Sequence, residues 1–168
     1  MKSELLGGGK HFRILKNDED FKVQFIVEGV TNAVATMPLN RFVQFRQYAD
    51  EASARAMDVK RGKKNINYKV HLGGNMYLQV NSPYQGVSIR QFKNIGDANA
   101  VNIIPDKSGI FLLIPEWNNF IKLNEELDTD IPELISTTTC SDQTDHCNQE
   151  GYYTCLECCP NGENRDWF

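Results

Sequence analysis

Apolar and polar residues alternate with a step of two along several short runs of this chain. HFRILK and FKVQFIV are two of them, and Phe21, Val23, Phe25 and Val27 fall on one face with Lys22 and Gln24 on the other. That alternation is the signature of half-buried strands. The cluster Asn17-Asp18-Glu19-Asp20 between them is turn chemistry, so the pair predicts a hairpin. Ala33 to Thr36 predicts a further short strand. From Pro38 the period changes to three and four: Phe42, Phe45, Ala49, Ala52 and Ala56 share one face of a helix, with the proline suited to its first turn.

The second half repeats this order. NINYKVHL, MYLQV, VSIRQFK and GIFLLI predict four strands, and PEWNNFIKLNEEL predicts a helix whose face carries Trp117, Phe120, Ile121, Asn124 and Leu127. A shift of 75 positions places Trp117 on Phe42 and Phe120 on Phe45. Two degenerate copies of a sheet-then-helix unit bury more apolar surface paired than apart. The predicted organisation is a flexible lead at 1–9, a first repeat at 10–57, a basic linker at 58–65, a second repeat at 66–127 and a tail at 128–168. The lead contains GGGK, which lacks the glycine spacing, the following Ser/Thr and the preceding strand of a phosphate loop.

Charge separates body from tail. Residues 1–127 hold 17 basic and 13 acidic residues; residues 128–168 hold one basic and nine acidic, for a net charge of −4. A mildly basic body with an acidic appendage fits a nucleic-acid-binding body or a solvated disordered tail. All five cysteines lie in that tail. Cys155-x2-Cys158 has the spacing of half a zinc site, and Cys140 with Cys147 or His146 could supply the other half. Free thiols in a disordered tail, or disulfides in an oxidising compartment, are the competing readings. No apolar run reaches the ~18 residues that span a bilayer. The sequence carries no signal-peptide core, so the expected compartment is nuclear or cytoplasmic. No Ser-His-Asp set, paired-acid motif or nucleotide loop is present, and no enzyme is expected.

The second repeat resembles the C-terminal domain of the transcriptional coactivator called positive cofactor four. Ile89-Arg90-Gln91-Phe92 matches the family's Ile-Arg-Glu-Tyr, Gly109-Ile110-Phe111-Leu112 matches Gly-Ile-Ser-Leu, and Trp117 falls on the helix tryptophan. The resemblance covers roughly 10–57 and 66–127. It implies an α+β fold of two strongly curved antiparallel four-stranded sheets, each followed by a helix, paired as an intramolecular pseudo-dimer beside an irregular Cys-rich acidic tail. It also implies single-stranded or melted DNA, or RNA, as ligand, and a coactivator-like role in transcription or replication. Self-association through the helices would follow from the same likeness. The chain departs from the family where nucleic acid is held: Lys93 replaces a tryptophan, and the turn Asn81 to Gly86 offers Tyr84 as its single ring.

Single-strand binding needs cations for phosphates and flat rings for bases. The candidates, taken from faces opposite the apolar stripes, are Lys10, Arg13, Lys16 and Lys22 in the first repeat and Lys69, Tyr77, Tyr84, Arg90, Phe92 and Lys93 in the second. Lys63 and Lys64 could close one end. Candidate metal ligands are Cys140, Cys147, Cys155 and Cys158; nothing else in the pattern requires a cofactor. The acidic tip Asp166-Trp167-Phe168 could recruit transcription or replication proteins, or compete with nucleic acid for the basic face. The alternative is a structural or protein-interaction module that kept the fold and lost the binding face.

Overall fold

The computed structural model describes residues 1–97, 99–146 and 149–161. Two four-stranded antiparallel sheets form, with strand orders β1-β2-β3-β4 and β5-β6-β7-β8. The first comprises β1 (Lys2–Gly7), β2 (Lys10–Lys16), β3 (Phe21–Val27) and β4 (Val34–Pro38), followed by helix α1 (Leu39–Lys60). The second comprises β5 (Asn67–Gly73), β6 (Met76–Asn81), β7 (Gly86–Asn94) and β8 (Ile103–Leu113), followed by α2 (Ile114–Asp130). Neither sheet is strongly curled, in contrast to the expected strong curvature.

The lead forms a strand: Lys2–Gly7 pairs with β2 as the edge strand. Its turn reproduces that of the second sheet. Gly7, Gly8 and Gly9 have φ of 123, 58 and 74°; Gly73, Gly74 and Asn75 have 132, 56 and 63°. Both turns follow a bulge that ends the edge strand. Such φ values strain most side chains, so glycine (and once asparagine) recurs there.

Each helix bridges the two sheets: α1 packs on β5 and β6 as well as on β3 and β4, and α2 packs on β1 as well as on β7 and β8. Phe120 of α2 meets Phe12 and Phe25 of the first sheet at ring distances of 5.4 and 5.0 Å, and Phe45 of α1 at 5.6 Å. The indole Nε1 of Trp117 donates to Ser53 Oγ at 2.8 Å, and Asn119 Nδ2 donates to the Leu6 carbonyl at 2.7 Å. The aromatic stripes read from sequence thus become one shared core: Phe42, Phe45, Trp117, Phe120 and Leu127 are all fully buried. Asn124, on the apolar stripe, is satisfied by Arg46 Nε at 2.8 Å. The linker is partly helical, since α1 runs on to Lys60 and closes with Lys63 N donating to the Asp58 carbonyl.

Nor does a detached appendage begin at residue 128. Ile131 and Leu134 join the core, with Leu134 on the short helix α3 (Glu133–Ser136). Two 3-10 turns, Cys140–Asp142 and Thr144–His146, and helix α4 (Gln149–Thr154) follow. The described part of the tail thus consists of short helical turns joined by non-helical segments.

Candidate nucleic-acid interface and metal-ligating cluster

Strand parity decides which side chains reach the outer face of the second sheet. Leu78, Ile89 and Ile110 point inward and pair across three strands. The alternate rows therefore point outward: His71–Tyr77–Arg90–Gly109, and Lys69–Gln79–Ser88–Phe111. The Lys69 ammonium lies 4.5 Å from the Tyr77 ring centre and 4.2 Å from that of Phe92, and the two rings meet edge to face at 5.0 Å. Two strand glycines let large groups lie across this face. A Cβ on Gly86 would stand 2.5 Å from the Phe111 ring, and one on Gly109 would stand 2.9 Å from the Arg90 guanidinium carbon.

The sequence candidates divide sharply. In the first half every candidate cation is engaged. Lys10 and Lys16 share the parity of Phe12 and Ile14, so they lie on the inward side of β2 rather than opposite the apolar stripe. Lys10 Nζ donates to Glu116 Oε1 at 2.8 Å, and Lys16 pairs with Glu133. Arg13 pairs with Glu28, and Lys22 with Asp20 at 2.7 Å. Lys63 faces Asp58 at 3.7 Å and Lys93 faces Asp106 at 3.8 Å; Lys64 is exposed. Lys69 and Arg90 make no ion pair among the described residues. Tyr77 is half-buried, Tyr84 is 66% exposed at the rim, and Phe92 is only 5% exposed. Phe92 is thus the floor beneath Lys69 and Tyr77, not a ring open to stacking. Phe111 escaped the sequence reading because it sits inside the all-apolar run GIFLLI; the parity fixed by Ile110 and Leu112 was the signal that could have found it.

The cysteine cluster is built by the tail's helical turns. Cys140, His146, Cys155 and Cys158 place their ligand atoms all within 4.8 Å of one another, close enough to hold a metal ion. Cys140 Sγ is 3.4 Å from His146 Nδ1 and 3.5 Å from Cys155 Sγ, and Cys158 Sγ is 3.4 Å from the same Nδ1. Around tetrahedral zinc the ligand separations are about 3.8 Å for S···S and about 3.6 Å for S···N, from the usual bond lengths. Cys147 lies outside the described residues, as does Asp166-Trp167-Phe168. Cys140, Cys155 and Cys158 form no disulfide among the described residues. Burial pushes the Cys140 thiol up to about 11 and raises Cys158 further. For Cys155 burial acts the same way, but hydrogen bonds from the Cys158 backbone and the Cys140 side chain outweigh it and lower its pKa. The cluster therefore favours one thiolate and resists more, unless a cation compensates them.

This cluster is fastened to the body by Glu157, inside the Cys155–Cys158 loop. Arg41 Nε and Nη2 donate to its two carboxylate oxygens at 2.7 and 2.8 Å. The Gly74 N–H donates to its carbonyl at 2.9 Å, and a Cβ on Gly73 would lie 2.1 Å from Oε1. Arg41 and Glu116 occupy matching positions in the two helices, separated by the same 75 residues as Phe42 and Trp117. Each reaches the edge hairpin turn of the other half. Glu116 finds Lys10 there; Arg41 finds its counter-charge in the tail.

No family model, curated protein or solved structure matches this chain. No helix among the described residues is long and apolar enough to cross a membrane.

Proposed function

We propose that this protein binds single-stranded nucleic acid across the outer face of its second sheet, and that Cys140, His146, Cys155 and Cys158 hold a structural zinc ion. The observation that carries the first part is one open face that combines two cations with no ion pair among the described residues, Lys69 and Arg90, with the rings of Tyr77, Phe111 and Tyr84. Rings take unpaired bases and cations take phosphates, without need of a duplex groove. The resemblance to the positive-cofactor-four family supports the same ligand and a role in transcription or replication. Zinc is supported by the three-sulfur, one-nitrogen donor set and its spacing.

Titration of the full chain with a labelled dT oligomer at several salt concentrations tests the reading. With two or three phosphate contacts, log K falls against log salt with a slope of about −1.4 to −2. Tyr77→Ala weakens binding by about tenfold, from the ~1–3 kcal/mol of one stacked base. Absence of salt-sensitive binding favours the second reading, a protein-interaction module. The neutralised cations of the first sheet are the observation that supports it.

A further inference from the structure

Along the row that starts at Lys69, the same face contains a cavity of about 220 Å³ lined by Gln79, Asn81, Tyr84, Gly86, Ser88 and Phe111. We infer that this cavity seats one unpaired nucleobase and reads its hydrogen-bonding edge; the inference rests on the nucleic-acid reading of this sheet.

The lining specifies the ligand class. Among the described residues no acidic or basic side chain borders the cavity, so its occupant is neutral, and phosphate belongs instead to Lys69 and Arg90. The occupant is planar, because the walls include two rings, Phe111 and Tyr84, that stack on no other ring among the described residues. Phe111 is set by the missing side chain at Gly86, where any Cβ would collide with its ring. Tyr84 comes from the β6–β7 turn and is open to solvent. The occupant also offers hydrogen-bonding groups. Gln79 and Ser88 are cross-strand partners, and Asn81 follows Gln79 on the same face. None of these three side chains makes a hydrogen bond with another described residue, and the Asn81 Oδ1 is buried without a partner. Two carboxamides and a hydroxyl supply adjacent donors and acceptors, the pattern of a base's pairing edge. The volume is below the ~300–1,000 Å³ of pockets that enclose drug-sized ligands, which suits a single ring system with its sugar outside.

The test is competition of short dT, dC and dA oligomers for the full chain, compared with the double substitution Gln79→Ala, Asn81→Ala. Both positions are on an open sheet face, and a thermal melt checks that folding is retained. The parent discriminates its best from its worst oligomer by about tenfold, the scale of a bidentate amide–base contact. In the double variant that ratio falls to about twofold or less, while affinity for the worst oligomer is kept. Phe111→Leu, which keeps apolar bulk without the ring, weakens all three oligomers alike by about tenfold, the loss of one stacked base. A preference that survives in the double variant overturns the base seat, because strand stacking alone would then explain it. So does a parent that binds all three equally well, which leaves the single-strand reading standing. A parent that binds none overturns both.

Discussion

Replacing Glu157 by glutamine keeps the shape of the Cys155–Cys158 loop and removes the charge that Arg41 holds. The partners are 14% and 22% exposed at their side chains and share two charge-assisted hydrogen bonds. Breaking a fully buried pair costs about 3–5 kcal/mol, and a surface pair is worth about 0–1 kcal/mol. Glutamine retains one accepting oxygen, so a loss of about 2 kcal/mol is expected at this intermediate exposure. Glu157 stands between two metal ligands, so undocking the loop also loosens the cluster. If docking and metal loading are fully linked, that loss is about a 30-fold fall in zinc affinity at 1.4 kcal/mol per tenfold. Competition against a chromogenic chelator measures it. Hydrogen exchange at the Gly74 amide, which donates to the Glu157 carbonyl, reports docking independently of metal. Arg41→Gln should produce a similar loss, and the double variant little more than either alone. Zinc affinity within about twofold of the parent, or fully additive losses in the double variant, would refute the coupling.

Three further outcomes follow from the same contacts. Phe120→Ala opens a cavity among rings from both halves and should cost about 3–5 kcal/mol, with both halves still melting in one transition by circular dichroism; separate transitions would contradict the shared core. Gly73→Ala and Gly9→Ala both strain positive-φ turns, by about 1–2 kcal/mol, but only the first drives a Cβ into Glu157. Limited proteolysis should therefore find the segment 149–161 released in the first variant alone. Zinc loading at neutral pH should expel at least two protons, because thiols must ionise to bind and burial holds Cys140 and Cys158 protonated without a cation. Calorimetry in buffers of different ionisation enthalpy checks this, and affinity should fall as pH is lowered.

Periodicity made most of the elements legible. Helix faces such as Phe42-Phe45-Ala49 and strand faces such as Met76-Leu78-Val80 are buried as their spacing requires. Periodicity identifies a buried face but not the surface that covers it, so the bridging of both sheets by each helix was not readable. Strand β1 was hidden because only Leu6 of its six residues is buried, leaving no alternation to detect. Its glycine turn is recognisable only beside Gly73-Gly74-Asn75. Lys10 and Lys16 were misplaced because a lysine at a strand end can turn to an acidic helix while keeping inward parity. Spacing left Cys147 and His146 as alternatives beside Cys140, and a 3-10 turn brings the His146 Nδ1 to Cys140 and Cys158. The Glu157–Arg41 contact spans 116 residues, which no local pattern encodes.

The central claim, that the outer face of the second sheet holds single-stranded nucleic acid, is tested most directly by mapping NMR shift changes as a dT oligomer is added. The account predicts the largest changes at the side chains of Lys69, Tyr77, Arg90 and Phe111, saturating together and reversed by salt, with Arg13 and Gln24 of the first sheet unmoved. Changes confined to the first sheet, or none at saturating oligomer, would contradict it.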